Sequence, residues 1–321
     1  MNQTGRESNS PLRLQLDVAI PFVSVLTIIG LTSLTINLLI VVAISKYWKT
    51  KKGYELFVLQ STLIDLIATV ITIPFWILTV IQDERFGNDI LCRLNGSMCL
   101  MELIAPVLFL MLATAYRHSG LVGHEAYERV FTEKRSYFFI LLGWLLSILL
   151  CLPQNFGWKP MPEVSCIPDL VTNIWYTMYM LTFFFFLPLA ASLFAHLFDI
   201  VLFKPERYQQ KSSNLFQICK RKCLRGEELE IQKSMCLVMV AHACSWLPYV
   251  LISITENLAG SRTFYLSGVS LHFISLTAGL SGMSVKGALF CFENPRIRRR
   301  AKELFGCIEE NEETSSHQVD I

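Results

Sequence analysis

The stretch FVLQSTLIDLIATVITIPFWILTVI, residues 57–81, is predominantly apolar over 25 positions and carries one charged side chain, Asp65. An α-helix needs about 20 such residues to cross the hydrocarbon layer of a bilayer. Within that layer every backbone N–H and C=O must find a partner inside the segment, which a helix provides. The stretch therefore predicts a transmembrane helix and places the whole chain among membrane proteins.

Six further runs of this kind follow along the chain, and the 321 residues are 53% apolar and only 17% charged overall. The further runs cover residues 18–45, 94–116, 137–154, 174–198, 235–255 and 264–292. They predict an all-α, seven-transmembrane helix bundle over residues 18–292. Residues 1–17 form the amino-terminal segment, 293–306 a short amphipathic eighth helix and 307–321 a tail. Because residues 1–17 lack the features of a cleaved signal peptide, the first helix is expected to be an uncleaved anchor.

Lysine and arginine are unevenly distributed between the two ends of the runs, which sets the orientation. The richer set comprises four lysines at 46–52, three basic residues at 129–135, a cluster at 204–233 and a group at 296–302. This side is predicted to be cytoplasmic, so the amino terminus is extracellular and the carboxyl terminus cytoplasmic in a multi-pass cell-membrane protein. The net charge of +2 reflects this asymmetry, and it does not indicate a nucleic-acid partner.

No combination of residues in the sequence predicts an enzyme, a metal site or a cofactor. The sequence shows no pattern that would place a nucleophile within reach of a base, and none that would bring a set of metal ligands together. Cys219 and Cys223 lie four residues apart in a basic loop, where zinc would need more ligands, so unpaired thiols are the alternative. A channel or transporter would need several charged groups along a path.

Residues at characteristic intervals suggest a family. They are Asn37, Asp65 followed nine residues later by Pro74, Arg117 25 residues after Cys92, Tyr127, Trp144, Pro188, and Trp246 with Pro248 in SWLPY. In this order and spacing, the chain resembles the rhodopsin-like (class A) G-protein-coupled receptors over nearly its whole length. The resemblance implies an extracellular ligand and a heterotrimeric G protein as partners.

Departures from the family pattern leave a second function open. They are Tyr116-Arg117-His118 in place of Asp-Arg-Tyr, Lys286, Gly287 and Phe290 in place of the seventh-helix Asn, Pro and Tyr, and His196 in place of a fifth-helix tyrosine. These positions bear on signalling in the family. The alternative is therefore a protein with the receptor fold that does not signal, such as a decoy, a scaffold or a dimer partner.

Lys286 lies inside the seventh run, and its depth matches that of Asp65. Asp65 is about nine residues, or roughly 13 Å, from the inner end of its helix, and Lys286 about six residues, or roughly 9 Å. Because intramembrane charges pair or face water, we predict an ion pair between them. In the family this aspartate helps to hold a sodium ion, which the ammonium would replace. The alternative is that Lys286 extends to the inner interface.

An opsin-like photopigment is a further alternative, since opsins hold retinal on a seventh-helix lysine. They place that lysine six residues before the Asn of Asn-Pro, nearer mid-membrane than Lys286. The family's counterion position, 22 residues before Arg117, is Asn95, which has no charge. A Schiff base would need the right depth and a charged partner.

The outer half of the bundle supplies the candidate ligand-binding residues, which are Cys99, Glu102, Trp246, Tyr249 and Phe273. Amine receptors carry an aspartate at the position of Cys99, so a biogenic amine is not expected. Glu102 either contacts a cationic ligand or bonds within the bundle, and the aromatic residues either line a pocket or pack. The segment after residue 165 resembles peptide receptors of the melanin-concentrating-hormone and somatostatin group, which favours a peptide ligand.

Four further residues carry separate predictions. Cys92 and Cys166 are the cysteines expected on the oxidising outer side, so we predict a disulfide between them. Asn2, in Asn-Gln-Thr on the outer segment, is the predicted N-glycosylation site. Cys307 follows the basic amphipathic stretch and is predicted to carry an acyl chain that anchors it to membrane lipid, with a free thiol as the alternative.

The last prediction concerns the inner end. Tyr116 leaves Arg117 without an adjacent acid, so we predict that Arg117 pairs with Glu228, twenty residues before Pro248, and stabilises an inactive state. Glu228 also belongs to the charged run GEELE, so a solvated helix start is the alternative.

Overall fold

The structure of the protein is a computed structural model that describes residues 16–48, 53–82, 89–122, 130–152, 174–202, 215–259, 265–266 and 269–306. Helices form almost all of this part. The helices are α1 (Leu16–Lys46), α2 (Gly53–Gln82), α3 (Asp89–Val122), α4 (Glu133–Cys151), α5 (Ile174–Leu181, a π-helical turn at Thr182–Phe186, and Leu187–Leu202), α6 (Leu215–Ala259), α7 (Leu271–Glu293) and α8 (Pro295–Leu304). Two short strands, β1 (Tyr265–Leu266) and β2 (Val269–Ser270), pair antiparallel just before α7.

Seven of the described helices are long and apolar enough to cross a membrane. The predicted all-α bundle of seven membrane helices with a short eighth helix is therefore confirmed. Large apolar side chains on its outside, such as Ile28, Leu141, Phe183 and Phe194, are exposed, which a lipid environment would cover. We call the end of the bundle that carries α8 the inner end, since the sequence predicts that it faces the cytoplasm.

Helix α3 lies at the centre of the bundle. It packs against α2, α4, α5 and α6. In the most apolar part of its membrane span 78% of the helix is buried, compared with 22% for α1. The ring closes through α1 against α2 and α7, and through α7 against α6. Side chains on α3 are therefore positioned to meet partners from several helices.

Two helix boundaries differ from those expected from hydropathy. Helix α6 begins at Leu215, twenty residues before the apolar run starts, because the basic segment before it contains good helix formers that hydropathy does not register. Helix α7 begins at Leu271, after the β1–β2 pair, although the apolar run starts at Phe264. Hydropathy measures only what lipid can cover, so it marks membrane spans and not helix ends.

Helix α8 begins with a capped amino terminus. The Asn294 side chain accepts from the backbone N–H groups of Arg296 and Ile297, and Pro295 occupies the first turn, where its missing N–H costs nothing. Ile297 and Ala301 are buried against the bundle. This amphipathic arrangement keeps α8 at the inner end of α7.

Candidate functional site

A cluster of three buried ionic side chains lies inside the bundle. Lys286 Nζ on α7 is 2.7 Å from Asp65 Oδ1 on α2 and 2.8 Å from Glu102 Oε1 on α3. The Lys286 and Glu102 side chains have no exposed surface, and that of Asp65 has 3%. The ammonium group therefore bridges three helices in a region without solvent.

The structure brings the predicted partners Asp65 and Lys286 into contact and adds Glu102 to them. Lys286 does not extend to the inner interface. Of the two roles considered for Glu102, the geometry places it within the bundle, where its carboxylate accepts from Lys286. We call Lys286, Asp65 and Glu102 the ionic triad.

The sequence contained a signal that Glu102 joins this contact, which the comparison of the depths of Asp65 and Lys286 did not reveal. Across the seven apolar runs there are only three residues with charged side chains, namely Asp65, Glu102 and Lys286. Because each charged group in a membrane interior needs a partner, two acids with one base point to a shared ammonium.

Neutral polar groups connect α1 to α2 and α7 beside the ionic triad. Asn37 Nδ2 donates to Ser33 Oγ at 3.1 Å and to the Met283 carbonyl at 3.3 Å, and Ser33 Oγ is 2.7 Å from Thr69 Oγ1. A Cβ atom on Gly287 would lie only 2.8 Å from the Ile36 side chain. Glycine at position 287 therefore allows α1 and α7 to approach closely at this level.

The aromatic candidates pack together towards the other end of the bundle. The Phe273 ring centroid is 5.0 Å from that of Trp76 and 4.6 Å from that of Phe22, and Trp246 and Tyr249 are 5.8 Å apart. The rings of Trp76, Phe273, Trp246 and Tyr249 are buried, as is Cys99, and Phe22 is half-buried. The indole N–H groups of Trp76 and Trp246 are buried and have no hydrogen-bond partner within the part of the chain that the structure describes. The aromatic group thus combines packing with two unsatisfied donors.

Arg117 lies at the inner end in a network that joins α3, α5 and α6. Its Nε donates to Gln232 Oε1 at 3.0 Å, and Gln232 Nε2 donates to Asp199 Oδ2 at 2.7 Å. His118 Nδ1 is 2.7 Å from Asp199 Oδ1, and the Arg117 guanidinium lies 5.0 Å from the Tyr54 ring centroid. We call Arg117, Gln232, Asp199 and His118 the inner network.

The side chain of Glu228, the predicted partner of Arg117, lies outside the described residues. The structure shows Gln232, one helical turn further along α6, in contact with Arg117, and the pair of Arg117 with Glu228 stays a prediction. Asp199 and Gln232 were not predicted. Asp199 lies one position beyond the fifth apolar run, and His118 lies two positions beyond the third. An acid and a histidine at the inner ends of two runs were the available signal.

A second buried ion pair fixes α8 to α2. Arg300 Nη1 is 3.0 Å from Glu55 Oε2, and the side chains are 7% and 0% exposed. Arg296 Nε on the same helix is 3.0 Å from Glu227 Oε1 near the start of α6. Helix α8 is therefore held to two other helices by charge.

Comparisons with known proteins agree with this architecture. The family described as "7 transmembrane receptor (rhodopsin family)" matches residues 36–282, which is most of the chain. The chain belongs to this family. Its members are receptors, so a membrane receptor fold with seven helices is its established class.

Similar curated proteins include melatonin receptors and melanopsins. The chain is 24% identical to melanopsin-A of Danio rerio over 72% of its own length and 41% of that protein. It is 23% identical to melatonin receptor type 1B-B of Danio rerio over 79% of its length and 72% of that receptor. The crystal structure of squid rhodopsin superposes with a TM-score of 0.77, covering 91% of this chain and 86% of that one at 14% identity. This likeness shows the fold alone.

Several predicted positions of the receptor lie outside the described residues. They are Asn2, Cys166 and Cys307. Cys92 on α3 is buried and disulfide-bonded, while its predicted partner, Cys166, is not described. Among the residues that the structure describes, no group of three or more metal-ligating side chains could hold a metal ion.

Proposed function

We propose that the chain is a cell-surface receptor that binds an extracellular ligand and signals through a heterotrimeric G protein. The amino terminus is extracellular in this proposal, and the G protein meets the inner end. The observation that supports it is the inner network, in which Arg117 on α3 contacts α6 through the neutral side chain of Gln232. A movement of α6 away from α3 would break this contact.

Helix α6 connects the two ends of the molecule that such a function needs. It carries Trp246 in the aromatic group and Gln232 in the inner network, 14 residues apart along one helix, or roughly 21 Å. A Cβ atom on Gly279 of α7 would lie 2.8 Å from the Trp246 ring, so α6 and α7 are in close contact there. A ligand that displaces Trp246 would therefore move α6 as a lever and pull Gln232 away from Arg117 and Asp199.

A peptide is the proposed ligand class. Glu102 accepts from Lys286, so it is not free to anchor a cationic ligand. The buried Trp246 Nε1 needs an acceptor, and a peptide presents carbonyl oxygens in every residue. The ligand would therefore be held by hydrogen bonds and aromatic contact in the bundle and not by an internal carboxylate.

A photopigment is not proposed, although melanopsins are among the similar proteins. Lys286 Nζ is engaged by two carboxylates, and Leu280 occupies the position where the resemblance to opsins would place the retinal lysine. Melatonin receptors are named for another ligand, and at 23% identity that ligand does not transfer to this chain.

The test is G-protein activation in membranes that contain the full-length chain, screened with a peptide library and with melatonin and retinal as separate arms. We expect activation in the peptide arm and its loss in Arg117→Ala at equal surface expression. Lys233→Ala, an exposed neighbour of Gln232, is the matched control and should keep the response. Activation by melatonin or retinal alone would contradict the peptide assignment while leaving the receptor function intact.

A receptor-fold protein that does not signal is the second candidate. Two observations favour it. Tyr116 stands in place of the family's acid, and Lys286, which stands in place of the family's asparagine, is bound to the Asp65 carboxylate. In that case ligand would bind without G-protein activation. Failure of every arm, together with unchanged basal activity in Gln232→Leu, would support this candidate over the signalling receptor.

A further inference from the structure

The ionic triad contains more negative than positive groups. One ammonium faces two carboxylates, and the three side chains are between 0% and 3% exposed. If all three were ionised, the cluster would hold a net charge of −1 in a medium of low dielectric constant. Such an uncompensated buried charge is strongly unfavourable, so the cluster must gain a positive charge.

The two carboxyl groups also share one donor. Lys286 Nζ is 2.7 Å from Asp65 Oδ1 and 2.8 Å from Glu102 Oε1. Glu102 Oε2 is buried and meets no N–H or O–H donor in the described part of the chain. Two ionised carboxylates that share one buried ammonium repel each other, and a proton on one of them removes this repulsion.

The other polar and titratable groups around the triad do not supply the missing charge. On α3, Cys99 lies near Glu102 and is uncharged as a thiol, and on α1 the nearby Asn37 is a neutral amide. On α6, His242 lies near Lys286, with Nε2 3.1 Å from the Leu103 carbonyl and Nδ1 without a partner among the described residues. One N–H donor and one open nitrogen fit a neutral imidazole, whereas a cationic ring would face the ammonium and leave a donor unpaired.

We infer that the ionic triad is a proton-binding site that holds one resident proton, shared between the carboxyl groups of Asp65 and Glu102. With that proton the cluster is neutral, and Lys286 keeps its charge. The proton resides on the two carboxyl groups and no other cation is needed. This inference rests on the charge count and the contacts, and it holds whether or not the chain signals.

Infrared spectroscopy of the full-length protein in an ester-free detergent at neutral pH tests the inference. The carbonyl stretching band of an un-ionised carboxylic acid lies at a frequency at which neither a carboxylate nor an amide absorbs. We expect the native protein to show the intensity of one such group and Glu102→Gln to lose it, since the remaining Asp65 and Lys286 are balanced. Lys286→Met should show about twice the native intensity, because both acids then need a proton.

Two other buried acids provide the matched controls. Glu55→Gln, in the ion pair with Arg300, and Asp199→Asn, in the inner network, should leave the band unchanged. If Glu102→Gln does not fold, Asp65→Asn gives the same test from the other carboxyl group, and the native spectrum stands without any variant. A native spectrum without the band, or a band that disappears only in Asp199→Asn or Glu55→Gln, overturns the inference.

Discussion

The ionic triad and the inner network both join three helices through polar side chains, but they differ in the chemistry of the joint. In the triad, α2, α3 and α7 meet through direct contacts between charged groups with no solvent access. In the inner network, α3, α5 and α6 meet through the neutral Gln232, and the His118 side chain is 34% exposed. The His118 edge of the inner network is therefore open to water, whereas Arg117, Gln232 and Asp199 are buried, as the triad is.

This difference indicates that the two joints have different roles. Separating the triad would strand charges in a low-dielectric interior, so it acts as a permanent clamp. Separating Gln232 from Arg117 and Asp199 exposes groups that water at the inner end can solvate. The inner network is therefore suited to open and close, while the triad keeps α2, α3 and α7 in fixed positions.

The largest effect is expected from Lys286→Met, which removes the base of the triad. Breaking a buried ionic contact should lower the free energy of unfolding by about 3–5 kcal/mol, measured by thermal unfolding of the purified protein. The triple variant with Asp65→Asn and Glu102→Gln should recover most of the loss. The control Lys302→Met, at an exposed position of α8, should change little. A loss in the triple variant equal to the sum of the losses from Lys286→Met and from Asp65→Asn with Glu102→Gln would show that the triad is not coupled.

A smaller effect is expected from Arg300→Met, which breaks a one-to-one ion pair near the inner end. Glu55 would lose its contact with α8, at a cost of roughly 1.5–3 kcal/mol, because nearby water can partly solvate it. Hydrogen exchange in α8 should become faster while exchange in α7 around Lys286 stays slow. Adding Glu55→Gln should restore part of the protection. Unchanged exchange in α8 would show that its apolar residues alone hold it.

A substitution in the inner network should change G-protein activation more than it changes the free energy of unfolding. Gln232→Leu removes hydrogen bonds to two charged groups, worth roughly 1.5–3 kcal/mol, and in a coupled receptor basal G-protein activation should rise about tenfold or more. Glu228→Ala should raise it too if the predicted ion pair with Arg117 forms. Lys233→Ala serves as the control. Basal activity that stays level in both variants of a receptor shown to couple would remove the network from the switch.

The smallest effect is expected from sodium. The resemblance implies that Asp65 would help to hold that ion, but Asp65 contacts Lys286 Nζ, so replacing potassium by sodium at constant ionic strength should not measurably shift the unfolding temperature. Lys286→Asn removes the ammonium, so sodium should then raise the unfolding temperature of that variant. A sodium response in the native protein would contradict the clamp.

Prediction from the sequence succeeded where the deciding property is local. Each membrane helix follows from the hydropathy of its own residues, and the start of α8 follows from Asn294 and Pro295. Depth within a helix is also local, since it depends only on the number of residues to the helix end. For this reason the contact between Asp65 and Lys286 could be anticipated from matched depths, and their distance of 2.7 Å agrees with it.

Partners that depend on the rotation of one helix against another could not be predicted in the same way. Gln232 is one such partner, because only the packing of α6 against α3 and α5 brings its side chain to Arg117 and Asp199. Likewise, the sequence favoured a role for Glu102 within the bundle over contact with a ligand, but its partner followed only from the position of α3 relative to α2 and α7.

By itself, then, the sequence determined the membrane class, the seven spans, the short eighth helix and the presence of two acids and one base in the apolar runs. Only the tertiary structure decided that these three groups meet at one point and that a glutamine contacts Arg117. The physical reason is that composition and hydrogen bonding within one helix are fixed by neighbouring residues. Contacts between helices depend on close packing of side chains from distant parts of the chain.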